Sequence, residues 1–284
     1  MSAKGRKKAD APVATLASLP VGHRVVTGPG WTMHLGDCLQ VLATFADKSV
    51  HVTLTDPPYE AEAHEDGRRQ NPTRDLEVRV VDGGLPFAAI TDVDRVAIAA
   101  LIARVTMHRA LAYCQAEAVG EWRAAFNAAG MPYRRAIPWT KPDAMPSLHG
   151  RWPGQAYETL VLAQFPSAPP PPCGGASRRY DFTRSQFGRS AGGTSGPEAP
   201  HPTTKPQRLM LANVEDFTDR GDVVLDPYMG SGSTGLACIR LGRTFIGIER
   251  DPGYFEIACR RLSGQEAKPR KEQPSLFDQI GATP

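Results

Sequence analysis

Stretches of alternating apolar residues and stretches of helical apolar spacing follow one another along most of this chain. Val50, Val52 and Leu54 alternate with His51, Thr53 and Thr55, which predicts a strand. That strand must stop at Pro57 and Pro58, because neither imino acid can donate to a ladder. Upstream, VVTGPGWTMH within Arg24 to His34 predicts two short strands around a Gly-Pro-Gly turn. Leu39, Val41, Leu42 and Phe45 fall at helical spacing behind Asp37, a residue type suited to the N-cap. Helical periodicity is strong over Asp92 to Met107 and recurs over Glu117–Ala129, which ends at Gly130. Arg109–Cys114, Arg134–Thr140 and Tyr157–Phe165 read as strands. Pro206 begins a helix striped with Leu209, Met210, Val214 and Phe217. Then come a buried strand (Val223–Leu225), a helix (Thr234–Leu241), a strand (Thr244–Ile248) and a helix (Pro252–Leu262). This alternation predicts an α/β fold with a mostly parallel central sheet flanked by helices.

The pattern lapses in four places. Residues 1–22 form a basic arm, and 265–284 a charged, Pro-containing tail, which leaves 23–264 as the expected folded unit. Residues 60–86 are polar and aperiodic, long for a connection inside a domain, and read as a lid. Residues 166–200 hold many Pro, Gly and Ser and almost no aliphatic side chain, so they cannot build a core of their own. That segment serves equally as a linker or as a nucleic-acid contact. In the second case Arg178, Arg179, Arg184 and Arg189 reach phosphates or base edges, and Tyr180, Phe182 and Phe187 stack.

Composition narrows the classes. No apolar run is long enough to cross a bilayer, and the N-terminus has no apolar secretory core. Five widely spaced cysteines without a C-x-x-C pair argue for a reducing, cytoplasmic setting and against a disulfide framework or a zinc site. The net charge of +3 confines any polyanion-binding surface to a local patch.

Two stretches carry chemistry. At the tip of the predicted 50–55 strand, Asp56 and the Pro57 carbonyl can accept the two N–H bonds of an exocyclic amino group, and Tyr59 can stack on its ring. An ordinary Asp-Pro-Pro turn explains the same four residues on their own. In the second stretch, Gly230, Gly232 and Gly235 satisfy G-x-G-x-x-G between a strand and a helix, and Glu249 follows Gly230 by nineteen residues. Spacing alone permits a dinucleotide there. Asp226 at the strand tip, however, opposes a pyrophosphate and attracts a cationic amine, which favours a phosphate-free nucleoside such as S-adenosylmethionine.

Taken together, Asp56–Tyr59 (DPPY), Asp226–Gly235 (DPYMGSGSTG), Ile246–Asp251 (IGIERD), His201–Pro206 (HPTTKP) and Leu35–Cys38 (LGDC) resemble the motifs of S-adenosylmethionine-dependent DNA amino-methyltransferases. Their order, catalytic motif before cofactor motif, resembles the family's beta arrangement. The resemblance implies a Rossmann-like methyltransferase fold and a bacterial or phage-encoded enzyme, often tied to restriction–modification. It also implies transfer of a methyl group to N6 of a flipped-out adenine, the DPPY form being typical of adenine enzymes. The implied catalytic residues are Asp56, Pro57, Pro58 and Tyr59. Cofactor contacts are implied for Asp37, Cys38, Asp56, His201, Thr203, Lys205, Asp226, Tyr228, Gly230, Ser231, Gly232, Ser233, Glu249 and Arg250. His201 and Lys205 serve equally as an ordinary loop contact and a solvated charge. Trp139 and Lys141 are placed on the DNA side, Trp139 equally in the core, and 166–200 falls where the family keeps target recognition. No metal is required, and a homodimer is expected.

The rival readings are a cytosine-N4 methyltransferase, a non-catalytic DNA-binding module and a nicotinamide oxidoreductase; the last leaves Asp37 and DPPY unexplained. A cytosine-C5 mechanism is set aside because Cys173, although preceded by Pro172, sits in a low-complexity segment. Gln273–Phe277 (QPSLF) resembles the short peptide by which bacterial replication and repair proteins dock on the sliding clamp.

Overall fold

The computed structural model describes residues 23–59, 89–144, 154–183 and 205–264. The basic arm, the whole 60–86 segment, Arg184, Arg189, Phe187, His201, Thr203 and the tail with Gln273–Phe277 lie outside the described residues. Strands β1 (Arg24–Gly28) and β2 (Trp31–Leu35) form an antiparallel pair in which Gly30, at φ +80°, takes the left-handed turn position. Asp37 then caps α1 (Cys38–Ala43), its Oδ1 accepting from the Leu39 and Gln40 backbone N–H at 3.0 and 3.1 Å. Next come β3 (Val50–Thr55), α2 (Asp92–Val105), β4 (Thr106–Cys114), α3 (Val119–Ala128), β5 (Tyr133–Thr140), β6 (Tyr157–Gln164) and β7 (Tyr180–Asp181). The C-terminal part supplies α4 (Gln207–Phe217), β8 (Val223–Asp226), α5 (Ser233–Arg240), β9 (Thr244–Glu249) and α6 (Pro252–Leu262).

The strands form one sheet in the order β1-β2-β9-β8-β3-β4-β6-β5-β7. Its five central strands, from β2 to β4, pair in parallel, and β6 runs antiparallel to both β4 and β5. Helices α1–α3 cover one face through Val41, Leu42, Ile98, Ile102, Trp122 and Phe126. Helices α4–α6 cover the other through Leu209, Val214, Phe217, Phe255 and Leu262. With both faces covered, β3 and β8 are buried almost throughout, so that Thr53 and Thr55 of the alternating β3 sequence are buried too. The resulting mostly parallel, Rossmann-like α/β sheet agrees with the periodicity.

Two boundaries shift. The helix expected to Met107 ends at Val105, and β4 begins at Thr106 because Thr106 and Thr53 hydrogen-bond across the sheet at 2.7 Å. The described part of 166–200 also departs from a plain linker. Tyr180 and Asp181 pair with Trp139 and Thr140 and add a ninth strand. Among the described residues no helix is long and apolar enough to cross a membrane, and no group of His, Cys, Asp and Glu is arranged to hold a metal.

Candidate active site

The chain leaves β3 for β4 on one side and β8 for β9 on the other, so the topological switch point falls between β3 and β8. Ligands of open α/β sheets bind at the carboxyl ends of the strands at such a point. Here four successive strand tips, β2, β9, β8 and β3, carry Asp37, Glu249, Asp226 and Asp56. A hydrogen bond from Thr55 Oγ1 to Asp226 Oδ1, 2.8 Å, joins the two central tips.

On the β8–β9 side the carboxylates organise backbone. Asp226, only 2% exposed, also accepts from Thr234 Oγ1 at 2.7 Å and from the Tyr228 N–H at 3.1 Å. Burial raises its carboxyl to about 7, against these three donors. Glu249 accepts from the Gly230 N–H at 3.0 Å and the Asp251 N–H at 2.8 Å, which ties the glycine turn to the end of β9. The nineteen-residue spacing read from sequence is therefore the reach of this bond. Gly230 (φ +52°) and Gly232 (φ +80°) take left-handed conformations. A Cβ on Gly230 would meet nothing within 4 Å, so the turn faces open space there, whereas one on Gly232 would strike Leu262 at 2.9 Å. Ser231 and Ser233 are buried, and Arg261 donates to the Ser231 carbonyl and hydroxyl at 2.5 and 2.9 Å. The Cys38 thiol, buried and raised to about 11, hydrogen-bonds the Tyr228 hydroxyl beneath the turn. Arg250 is exposed beyond β9.

On the β3 side the charges face one another. Lys205, just ahead of α4 and 9% exposed, donates to both Asp56 oxygens at 2.7 Å. Its Nζ also lies 3.1 Å from the Tyr59 hydroxyl and 3.1 Å from Glu158 Oε2. The Tyr59 hydroxyl donates to that same Glu158 oxygen at 2.5 Å, and Lys141 donates to the other, Oε1. Rings of Tyr113, Tyr59 and Trp139 surround the Lys205 ammonium at 4.9, 5.2 and 5.8 Å. Two carboxylates and two ammonium groups thus cancel in a largely enclosed cluster. Burial works to raise Glu158, but Lys205 and Lys141 overcome it and hold the carboxyl at about 2. Asp56 is pushed up by burial, with Lys205 opposing and Glu158 adding to the rise. The Asp56 side chain keeps 28% exposure, so its desolvation is partial and a ligand has a way in. Burial disfavours the Lys205 charge, and Asp56 and Glu158 more than restore it. Pro57 is buried and Pro58 half-buried behind the carboxylate.

Several expectations require correction. Trp139 is core, 2% exposed, with its indole N–H donating to the Phe182 carbonyl at 2.9 Å, so its ring does not face DNA. Tyr180 is not free to stack on a base. It is 4% exposed, and its hydroxyl donates to Asp216 at 2.7 Å. Arg178 pairs with Asp216 at 2.9 Å, which pins this segment to α4, and Arg179 pairs within the segment with Asp181 at 2.8 Å. Lys141 is committed to Glu158 rather than presented outward. Lys205, proposed from sequence for the cofactor, lies instead on Asp56. Glu158 itself was missed. It begins a strand that reads as ordinary, YETLVLAQ, and only the antiparallel run of β6 brings a strand start to the edge where its neighbours end. The one local signal was a carboxylate heading an otherwise apolar buried strand.

Residues 50–260 match the DNA methylase family of N6 and N4 amino-methyltransferases, and the chain belongs to that family. The family's methyl donor is S-adenosylmethionine. The Type II methyltransferase M.XycI of Xanthomonas campestris pv. cyanopsidis is 34% identical over 156 residues, 51% of this chain and 50% of that protein. The Type II methyltransferase M2.DpnII of Streptococcus pneumoniae is 46% identical over 65 residues, 23% of this chain and 24% of that protein. The aligned regions thus span about half and about a quarter of these relatives. Among solved structures, the complex of M1.HpyAVI with S-adenosylmethionine superposes with a TM-score of 0.57 at 22% identity, covering 82% of this chain and 98% of that one. The cytosine-N4-specific PvuII DNA methyltransferase superposes with a TM-score of 0.63 at 17% identity, covering 90% and 93%. Both share the fold.

Proposed function

We propose that this chain moves the methyl group of S-adenosylmethionine to the exocyclic N6 of an adenine in DNA, in the beta arrangement of the family. The observation that carries the proposal is the adjacency of Asp56 and the Asp226 turn on neighbouring strands β3 and β8, joined by Thr55. A base at Asp56 and a cofactor at the glycine turn would then lie within reach of each other. The donor set suits that cofactor. Asp37 and Glu249, at the tips of β2 and β9, would repel a pyrophosphate and favour a cationic sulfonium, and Gly230 opens onto free space. When bound, S-adenosylmethionine supplies an electrophilic methyl group. Asp37 and Glu249 would accept from its hydroxyl and amino groups, and the glycine turn would let it approach the backbone. The target base leaves the duplex stack to reach the cleft. Asp56 and the Pro57 carbonyl accept its amino N–H bonds, and Tyr59, its hydroxyl fixed by Glu158, offers a face for stacking. The amino nitrogen would take the methyl group as the carbon–sulfur electron pair returns to sulfur, and its surplus proton would pass to solvent. Positioning and electrostatics supply the acceleration, with no covalent enzyme intermediate.

Asp rather than Ser at position 56 supports adenine over cytosine. For DNA, Arg184 and Arg189 serve as phosphate contacts. A homodimer belongs to the same proposal, and the exposed Val93 and Val96 on α2 offer it an apolar face. So does docking of Gln273–Phe277 on the sliding clamp, in a cytoplasmic setting. Deleting residues 270–284 is expected to leave methyl transfer intact and abolish clamp binding; unchanged clamp affinity would remove that element. The main test is methylation of unmodified genomic DNA with labelled cofactor, followed by separation of the product nucleosides. N6-methyladenine is expected. N4-methylcytosine would keep the mechanism and change the base, and absence of any methylated base would reject methyl transfer.

A further inference from the structure

Both oxygens of Asp56 already hold N–H donors at 2.7 Å, and both donors are on Lys205. The ammonium therefore stands where the amino group of a target base must go. This reasoning rests on the methyl-transfer reading of the same cleft. An amino group can use Asp56 only if Lys205 gives up at least one oxygen. An ammonium released in so enclosed a place needs another anion within reach.

Glu158 is that anion. Its Oε2 is 3.1 Å from Lys205 Nζ, close enough to take over the charge with a small swing of the side chain. It is also prepared for the task. Lys141 holds its other oxygen, and the Tyr59 hydroxyl fixes Oε2 from the base-stacking side. The rings of Tyr113 and Trp139 line the space through which the ammonium would move, and each tolerates a cation over its face. We infer that Glu158 is a positioning residue that receives Lys205 when the target amino group takes Asp56, so that the lysine guards the carboxylate in the free enzyme and clears it for the base. Glu158 touches neither base nor cofactor in this account. It acts through Lys205 and Tyr59.

The inference makes one uncommon demand. If Glu158 serves to draw Lys205 away, removing the lysine must relieve the loss of the glutamate. The test uses the full chain, unmethylated genomic DNA and labelled S-adenosylmethionine. It compares wild type, Glu158→Gln, Glu158→Asp, Lys205→Met and the Glu158→Gln/Lys205→Met double variant. Cofactor dissociation constants come from calorimetry and folding is checked by thermal melting. Glu158→Gln is expected to lower kcat about 100-fold with cofactor affinity within about twofold of wild type. Glu158→Asp, which keeps the charge, should recover about tenfold of that loss. The double variant should be about tenfold faster than Glu158→Gln alone, an outcome that a merely structural role would not produce. If Glu158→Gln does not fold, the charge-balanced double variant carries the test, because, with no lysine left to receive, it must match Lys205→Met within about twofold. A Glu158→Gln enzyme as fast as an active wild type overturns this inference alone. So does a double variant no faster than its slower parent, or a loss confined to cofactor affinity. A wild type that transfers no methyl group overturns the methyl-transfer reading and this inference together.

Discussion

On the β8–β9 side of the cleft, Asp226 and Glu249 accept bonds from backbone N–H groups and hydroxyls of their own turn; on the β3–β6 side, Asp56 and Glu158 accept them from two lysine ammonium groups. The first kind of bond is local. Its donors lie in the same turn or the adjacent strand, and moving one would unmake the loop. The second kind joins distant parts of the chain through flexible side chains, with Lys205 and Asp56 separated by 149 residues in sequence. Charge-assisted contacts of this sort are strong but exchangeable, because a new donor can take the place of the old. A cofactor needs a rigid seat, whereas a base entering from DNA needs a seat that can be vacated.

Four substitutions would break or sharpen this contrast. The largest effect is expected for Asp56→Ala, which should reduce methyl transfer about 10³-fold or more while leaving cofactor binding by calorimetry nearly unchanged. Loss of both together would mean that the two sides are one rigid unit. Asp226 comes next, through pH. Its folded carboxyl is raised to about 7, above its ordinary value, so the folded state binds a proton that the unfolded chain has released. Stability from this group is therefore present below about pH 4 and falls as pH rises towards 7, by roughly 4 kcal/mol as an upper bound. Asp226→Asn should flatten that slope, seen in urea unfolding at pH 5 and pH 8; parallel pH dependence in the two proteins would reject the account. Glu249→Gln replaces one acceptor with a donor against the Gly230 or Asp251 N–H. It should cost about 1–3 kcal/mol in unfolding and weaken cofactor binding as well. A change in affinity without a change in stability would make Glu249 a ligand contact only. The smallest effect is expected for Tyr180→Phe, about 1 kcal/mol from the lost bond to Asp216, with methyl transfer retained.

The two sides also differ in how far they could be read from the chain. Asp37 as a cap and the glycine turn were legible, because each is a relation between neighbours in the chain; the spacing of Gly230 and Glu249 was legible too, but not the bond between them. The position of Asp56–Tyr59 was legible as well, since two prolines end its strand at the sheet edge. The surroundings of Asp56 were not. Nothing in TLVLAQF announces that Glu158, ahead of it, meets a lysine 47 residues later, and the Pro- and Gly-rich 166–183 segment gave no sign of burying Tyr180. From sequence Trp139 fits either the core or the DNA side, and its burial and its bond to Phe182 separate the two.

By itself, then, the sequence determined the alternation of strands and helices, the sheet edge at which Asp56 lies and the two motifs that meet there. These follow from periodicity, proline and glycine stereochemistry and short-range hydrogen bonding, which act within a turn or a strand. The tertiary structure alone decided the direction of β6, the burial of Tyr180 and Trp139 and the charge cluster of Asp56, Lys205, Glu158 and Lys141. The reason is physical. A side chain's partner across a sheet depends on strand order and direction, and these are settled by the packing of the whole chain rather than by the residues on either side of it.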